Sequence, residues 1–558
     1  MTLDDIAARA PFDDAKKPIP GLMQNWPLTI DKIITHAAAA YPHAKIVSRG
    51  NDLALRTTTY AEIEQQSRRI SSAFAAHGVG AGDIVATIAW NSDRHIELWY
   101  GAGGIGAVIH PLNPRLTPEQ IIWIIHHAGD CAIFLDPAFL PLVEAIAGSL
   151  SSVRLFVLLT SEVEMPANTF GAISLEAFLA NGTRPERWGD FPEDGACSLF
   201  YTSGTTSNPK GVLYSHRSNS LHAMLAAMAY GLTTGDIMMP VVPMFHANCW
   251  GLVHIAPMIG ASLVLPGPAL DPASLHALIE SEGVTHAAGV PTMWSALHQH
   301  LMQTGKRVPT LRRLFTAGSA VPRSLIRRLR DDLDVEIVTA WGMTETSPSG
   351  TIGGYLPRHL ADDEDALSAA ARQGRMLYGV EMTIRDEDGQ TLPHDGRSSG
   401  RLMVRGPAVL SAYFRSDVKI CDEDGYFDTG DIGVIHPDSI MQITDRAKDI
   451  VKSGGEWISS LTIEDAVALH PAIEHCAVIG IPSERWDERP LLIVRLRSGT
   501  DMSADQIRDF LVDKLPKWWL PEIVEFIEEM PLGATGKVDK KRLRLIYAPL
   551  FGMVGAAA

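Results

Sequence analysis

Tyr201-Thr-Ser-Gly-Thr-Thr-Ser-Asn-Pro-Lys-Gly211 is the stretch from which the rest of the chain can be read. The apolar run Ala196–Tyr201 leads into it, and Gly211–Tyr214 leads out. Between them lie the hydroxyls of Thr202, Ser203, Thr205 and Thr206, together with Gly204 and Lys210. Short hydroxyl side chains and free backbone N–H groups around a glycine make a concave anion site. A lysine adds the point charge that suits phosphate. The pattern therefore reads as a loop between two strands that wraps a polyphosphate. A plain polar hairpin turn is the competing reading, and the density of phosphate-type donors weighs against it. The ATPase phosphate loop is excluded, because that motif runs from Gly-Lys-Ser/Thr straight into a helix. Here Pro209 precedes Lys210 and a strand-like segment follows.

Working outward, apolar strands alternate with helices. Ile30–Ala40 and Tyr60–His77 read as helices, the second capped by Thr59. Asp83–Ala89 is a strand, Ser92–Gly106 a helix, then a short strand runs to Pro111, followed by a helix over Pro118–His127 and a strand over Cys131–Leu135. Further strands are expected at Leu155–Leu159, Cys197–Tyr201, Ser262–Leu265, His286–Val290, Leu314–Ala317 and Glu336–Ala340. This is α/β patterning with mostly parallel sheets. From Met382 to Thr444 the segments shorten between Gly and Asp turns, which suits a small β region. Residues 449–558 return to helices and strands. The expected architecture is a large N-terminal domain (1–447) of αβαβα-type sheets plus a small β region, followed by a smaller, mobile α+β C-terminal domain (448–558). Gly101-Ala-Gly103-Gly-Ile-Gly106 matches the dinucleotide fingerprint in form only. The fingerprint opens a helix after a strand; these glycines end a helical pattern, where close helix packing is their expected use.

The totals narrow the classes. A chain of 558 residues suggests more than one domain. A formal net charge of −17 argues against a nucleic-acid partner. Cys131, Cys197, Cys249, Cys421 and Cys476 are scattered without metal-ligand spacing and read as free thiols of a reducing compartment. The acidic start lacks an apolar signal core. Leu252–Pro266, the nearest approach to a membrane span, is interrupted by His254, Pro257 and Gly260. A cytoplasmic protein without a membrane span is expected, and a homodimer.

Further motifs are weak one at a time. Trp341-Gly-Met-Thr-Glu-Thr346 follows a strand and offers a flat ring, hydroxyls and one acid; Mg²⁺ takes one or two carboxylates plus phosphate oxygens. Gly318-Ser-Ala320 is a small-residue turn after another strand. Asp431 in Tyr426-Phe-Asp-Thr-Gly-Asp431 could accept two hydrogen bonds at once. Asp445–Ile458 reads as a charged linker and turn. Lys537 sits on a turn behind Thr-Gly, while the basic residues after it, to Arg544, lie on a terminal helix of the kind that is usually solvated surface. In Met244-Phe-His246-Ala-Asn-Cys-Trp250, His246 and Trp250 are i and i+4 and would share a face of a helix.

Thr-Ser-Gly-Thr-Thr-x-x-Pro-Lys-Gly resembles the signature loop of the adenylate-forming superfamily, which comprises acyl-CoA synthetases, luciferases and carrier-protein adenylation domains. Ser207 departs from the glycine usual there. The resemblance extends over nearly the whole chain and implies roles for its motifs. Thr202, Ser203, Gly204, Thr205, Thr206 and Lys210 would grip the phosphates of ATP. Trp341, in place of the usual Tyr, would stack on adenine beside Gly318, Gly342, Met343 and Thr344. Glu345, with Thr205, would hold Mg²⁺. Asp431 would take both ribose hydroxyls, and Arg446 would touch the nucleotide. Lys448 would be the hinge, and Gly454, Gly455, Glu456 and Trp457 would lie in the loop that enters for coenzyme A. Lys537 would be the adenylation lysine, His246 would border the carboxylate, and Trp250 would gate the acyl tunnel.

The resemblance implies that a carboxylate attacks the α-phosphate of ATP, pyrophosphate leaves, and a thiol then displaces AMP. No protein nucleophile is needed, and Gly-x-Ser-x-Gly, the mark of an esterase, is absent. Pro243–Pro257 carries no acidic residue, which disfavours an amino-acid substrate whose ammonium would need a partner. Ser453-Gly-Gly-Glu-Trp-Ile-Ser459 and Lys517-Trp-Trp-Leu-Pro521 resemble the medium- and long-chain fatty acyl-CoA synthetase branch, within it medium-chain ligases and bacterial 3-(methylthio)propionyl-CoA ligases. The implied reaction joins coenzyme A to a short- to medium-chain carboxylic acid, with 3-(methylthio)propionate a named candidate. Long-chain acids or the loading of a carrier protein are the alternatives.

Overall fold

The computed structural model describes residues 21–180, 182, 188–202, 208–353, 364–454, 456–483, 485–532 and 538–552. Local chemistry sets the element ends much as the sequence reads. The helix Tyr60–Ala76 starts at a capping box: the Thr59 hydroxyl accepts the Glu62 N–H, and the Glu62 carboxylate accepts the Thr59 N–H at 2.8 Å. Its face at Tyr60, Ile63, Ile70 and Phe74 is buried. The helix Asp93–Gly103 is capped by Ser92 and ends on the glycines of the rejected fingerprint. A Cβ at Gly101 would meet Ile70 at 2.6 Å, so that glycine serves close helix packing.

Among the described residues three sheets form. The first has seven strands in the order Ile173–Ser174, Leu155–Leu158, Ala132–Leu135, Ile84–Ile88, Val108–Pro111, Ala196–Thr202, Lys210–Ser215. All neighbours are parallel except the last pair, which forms an antiparallel hairpin. In the second sheet Lys45–Arg49, Ser262–Leu265, Ile237–Pro240, His286–Gly289, Arg313–Thr316 and Glu336–Gly342 run parallel, with Leu55–Thr59 antiparallel at one edge.

The small β region is not detached from that sheet. The first part of Glu336–Gly342 pairs in parallel with Arg313–Thr316, and its end pairs antiparallel with Ser349–Ile352, through an irregularity at Trp341/Gly342. Gly374–Met376, Ile440–Arg446, Phe427–Ile435, Gly400–Arg405 and Glu381–Arg385 continue the antiparallel order. One strand thus belongs to both halves, and Trp341 and Gly342, expected just beyond a strand, lie on it.

The third sheet holds Val451–Ser453, Glu456–Ile458, Asp487–Leu496, Ile473–Ser483 and Ile523–Phe526. With the helices Ser460–Ala468, Ala504–Leu511 and Lys540–Gly552 it makes the α+β C-terminal part, which has its own apolar cores. A buried polar network joins this part to the strand Ile440–Arg446. Asp445 accepts the Ser460 N–H at 2.5 Å and its hydroxyl at 3.0 Å. Lys540 Nζ donates to Ser460 Oγ at 2.7 Å and pairs with Glu464 at 2.7 Å. Arg544 pairs with Asp449 at 2.6 Å. Lys540 is therefore not part of a solvated basic run: its side chain is 13% exposed. Burial pulls its pKa down, but Glu464, Asp445 and Asp449 outweigh that and hold it above the ordinary lysine value.

The stretch Met244–Trp250 corrects the sequence reading. Ala247, Asn248, Cys249 and Trp250 have φ of +44°, +59°, +51° and +51°, a left-handed turn, and Gly251 follows at +75°. A right-handed helix begins only at Leu252. His246 and Trp250 thus share no right-handed helical face. Left-handed residues cost about 1–2 kcal/mol each, so tertiary contacts must hold the turn. Asn248 is fully buried and donates to Asn219 Oδ1 at 2.8 Å. A Cβ on Gly251 would meet the His222 ring at 2.5 Å. Among the described residues no helix is long and apolar enough to cross a membrane, and all five cysteines are unpaired.

Candidate active site

The signature loop is the tip of the hairpin Ala196–Thr202/Lys210–Ser215, whose last facing pair is Thr202 and Lys210. The strand pairing therefore brings the first hydroxyl and the lysine of the motif side by side. Ser203, Gly204, Thr205, Thr206 and the departing Ser207 lie outside the described residues, as do Gly455 and Lys537. The base of the loop is pinned: the Tyr201 hydroxyl and His127 Nδ1 are 2.6 Å apart. Gly211 is closely packed, since a Cβ there would sit 3.1 Å from Phe414 and 3.2 Å from the Tyr201 ring.

The parallel strands of the second sheet end on one edge, where α/β sheets present ligand sites. His246 follows Ile237–Pro240, Gly318 follows Arg313–Thr316, and Trp341 ends Glu336–Gly342. Gly318 has φ +91°, which a glycine adopts without strain. Gly342 cannot carry a side chain, because a Cβ would lie 1.9 Å from the Pro348 carbonyl. Met343 leads into the turn Thr344–Thr346, and the Tyr214 hydroxyl donates to the Thr344 carbonyl at 2.5 Å. His246 is half-buried. Trp250 is buried in the same apolar cluster as Trp341.

Several predicted residues meet at this edge. Asp431 and Arg446 face each other on adjacent strands, and Arg446 Nε lies 2.6 Å from Asp431 Oδ1. The Trp341 indole N–H donates to Asp431 Oδ2 at 2.7 Å. Gly350 makes room for that ring, as a Cβ there would lie 2.4 Å from it. Glu345 is buried, and the Tyr413 hydroxyl donates to its Oε1 at 2.9 Å. Burial raises the Glu345 pKa; the Tyr413 hydrogen bond and the charges of Arg446 and Lys210 act against that rise. Lys210 Nζ lies 4.7 Å from the centre of the Tyr413 ring. Burial also lowers the pKa of Lys448, whose charged neighbours include Asp449, Arg446 and Asp431. Tyr413 went unmarked in the sequence, since an isolated tyrosine in an irregular segment carries no spacing signal.

The donor set suits Mg²⁺ held jointly with phosphate. Among the described residues no cluster of three or more His, Cys, Asp or Glu side chains could cage a metal. A single buried carboxylate, Glu345, beside the phosphate-loop lysine fits an ion that keeps water and phosphate oxygens as its other ligands.

The residues expected in the thiol loop lie elsewhere. Trp457 belongs to the C-terminal sheet, and Gly454, just past the strand Val451–Ser453 at φ +60°, packs against Trp486 and Trp518. Glu456 lies on the same short hairpin.

Comparison with known proteins gives the following. Residues 34–414 match the family described as AMP-binding enzyme, and residues 462–537 match the AMP-binding enzyme C-terminal domain. The chain is 44% identical over 538 residues to a medium-chain-fatty-acid–CoA ligase of Ectopseudomonas oleovorans, covering 95% of this chain and 98% of that one. It is 44% identical over 528 residues to a 3-methylmercaptopropionyl-CoA ligase of Ruegeria lacuscaerulensis, covering 94% and 98%. Its structure is similar to that of a fatty acyl CoA synthetase of Mycobacterium tuberculosis, with a TM-score of 0.71 at 27% identity, covering 94% of this chain and 99% of that one.

Proposed function

The chain belongs to the AMP-binding enzyme family, and on that premise we propose that it is an acyl-CoA ligase that uses ATP, Mg²⁺ and coenzyme A to activate a short- to medium-chain carboxylic acid through an acyl-adenylate. One observation carries the reading: Trp341, Asp431 and Arg446 form a hydrogen-bonded and ion-paired group, and Tyr413 bonds the buried Glu345 while its ring meets Lys210. A ring, a ribose-type carboxylate, an acid and two cations thus converge, as an adenylating site needs.

In the first step an oxygen of the acid's carboxylate bonds to the α-phosphorus, and the bond from that phosphorus to the bridging oxygen of pyrophosphate breaks. The obstacle is repulsion between two anions, and preorganised positive charge offsets it. Lys210 stands at the foot of the phosphate hairpin and Arg446 beside Asp431. Lys537, in the role the family resemblance gives it, adds charge at the carboxylate and α-phosphate. Mg²⁺, held by Glu345 and the polyphosphate, would supply further charge neutralisation. In the second step the thiol of coenzyme A loses its proton to solvent, its sulfur bonds to the acyl carbon, and AMP leaves with the electron pair of the acyl–oxygen bond. Asp431 and Trp341 would keep hold of the AMP part through both steps. Turning of the 448–558 domain about Lys448 would exchange Lys537 for the Gly454–Trp457 loop between steps.

Trp250, at the end of the left-handed turn, is proposed as the acyl gate, and His246, at its start, as the group that borders the acid. The two 44% identical relatives support an aliphatic acid of modest length, including 3-(methylthio)propionate. Five unpaired cysteines accord with a reducing cytoplasm. Assembly as a homodimer is part of the same proposal and is read directly by light scattering. The activity itself is tested by ATP–pyrophosphate exchange: exchange that needs both the acid and Mg²⁺ but no thiol supports the reading, and exchange without the acid contradicts it.

A further inference from the structure

The segment Leu410–Arg415 crosses the parts of the site that must keep register. The Leu410 N–H donates to the Glu345 carbonyl at 2.9 Å, and the Phe414 N–H donates to the Gly211 carbonyl at 2.8 Å. Arg415, with φ +53°, donates from Nη1 to the His127 carbonyl at 2.7 Å. The strap is thus tied to the Glu345 turn, to the strand leaving the phosphate loop, and to the helix Pro118–Ala128. Between its anchors Tyr413 gives its hydroxyl to Glu345 Oε1 and its ring to the Lys210 ammonium.

We propose that Tyr413 is a positioning residue for adenylation, holding the Glu345 carboxylate and the Lys210 ammonium close together but unpaired. Glu345 and Lys210 carry opposite charges on neighbouring elements, and a direct ion pair would spend both on each other. Tyr413 stands between them with neutral chemistry. Its hydroxyl fixes one carboxylate oxygen, and a carboxylate has further lone pairs with which to accept a cation. Its π face attracts the ammonium without cancelling the charge. The backbone anchors at Leu410 and Phe414 keep the ring from following either partner. The inference rests on the reading of Glu345 as the Mg²⁺ acid and Lys210 as a phosphate cation.

The test uses the full-length chain carrying Tyr413→Phe, Tyr413→Leu or Glu345→Gln. Tyr413→Phe loses only the hydroxyl. It is expected to raise the Mg²⁺ concentration for half-maximal pyrophosphate exchange about tenfold, the scale of one hydrogen bond to a charged group. Mn²⁺ binding to the enzyme–ATP complex, followed by electron paramagnetic resonance, should weaken by a similar factor. Thioesterification of supplied acyl-AMP should stay within about twofold of the parent, since that step needs no polyphosphate. Tyr413→Leu, which also loses the ring, should raise the KM for ATP further. Unchanged Mn²⁺ affinity in Tyr413→Phe, or equal loss in both half-reactions, overturns the inference. If Glu345→Gln weakens Mn²⁺ binding while Tyr413→Phe does not, Tyr413 alone loses its role. If Glu345→Gln also leaves it unchanged, the metal reading of Glu345 falls as well.

Discussion

The indole N–H of Trp341 donates to Oδ2 of Asp431 at 2.7 Å, joining the residue assigned to adenine to the residue assigned to ribose. Asp431 is 2% exposed, so the bond is made where water cannot replace it. The two strands that carry these residues have three others between them in the sheet order. The bond therefore braces the face on which a nucleotide would lie.

Trp341→Phe keeps a ring but removes the donor. Leaving a buried acceptor unpaired costs about 1–3 kcal/mol, and each 1.4 kcal/mol is about tenfold in affinity. The KM for ATP in pyrophosphate exchange is expected to rise about tenfold, and the affinity for AMP to fall alongside it. An unchanged KM would show that the indole N–H has no part in nucleotide binding.

Lys537→Ala is expected to abolish acid-dependent pyrophosphate exchange while thioesterification of supplied acyl-AMP continues. Removing a group proposed to act only in the first transition state should lower that rate by about 10²-fold or more. Equal loss of both half-reactions would remove Lys537 from its assigned role.

Trp250→Ala should broaden the accepted chain length toward longer acids, because the side chain proposed to gate the acyl site is gone. Competition between a C6 and a C14 acid measures this directly. An unchanged preference would mean that Trp250 is a core residue only, as its burial in the main apolar cluster also allows.

The contribution of the buried histidines to stability should fall on mild acidification. His95 lies 2.8 Å from the Thr87 hydroxyl and 3.1 Å from the Trp90 carbonyl, and His222 faces the Ser349 N–H at 3.4 Å. Burial pushes both pKa values from the ordinary 6.5 down to about 4. Between those values the unfolded chain binds more protons than the folded one. The stabilisation is complete above about pH 6.5 and is lost as pH drops toward 4, by about 1.4 kcal/mol per pH unit for each histidine. Urea denaturation from pH 7.5 to 4.5 reads the slope, and His222→Gln should reduce it by one proton. An identical slope in that variant would contradict the assignment.

Much of the fold was legible because its signals are local. Thr59 with Glu62, Ser92 and the apolar runs mark element ends within a few residues, and the Tyr201–Gly211 hairpin shows its donors in sequence. What was not legible depends on distant pairing. Trp341 and Asp431 meet only through the sheet order, and Tyr413 acquires meaning only once Leu410 and Phe414 are anchored. The left-handed turn at Ala247–Trp250 follows from Asn219 and His222 packing against it, and only Asn248 hints at it locally, since asparagine tolerates that conformation. Lys540 looked like one of several surface bases until Asp445 and Glu464 enclosed it.

On the proposed function, this site joins a carboxylic acid to coenzyme A through AMP. The most direct measurement is product formation from ATP, Mg²⁺, coenzyme A and a panel of acids from about C2 to C16 that includes 3-(methylthio)propionate, with AMP, pyrophosphate and acyl-CoA counted together. One AMP and one pyrophosphate per acyl-CoA are expected, with the highest kcat/KM among the short- and medium-chain acids. ADP in place of AMP, or AMP release that does not depend on the acid, would contradict it.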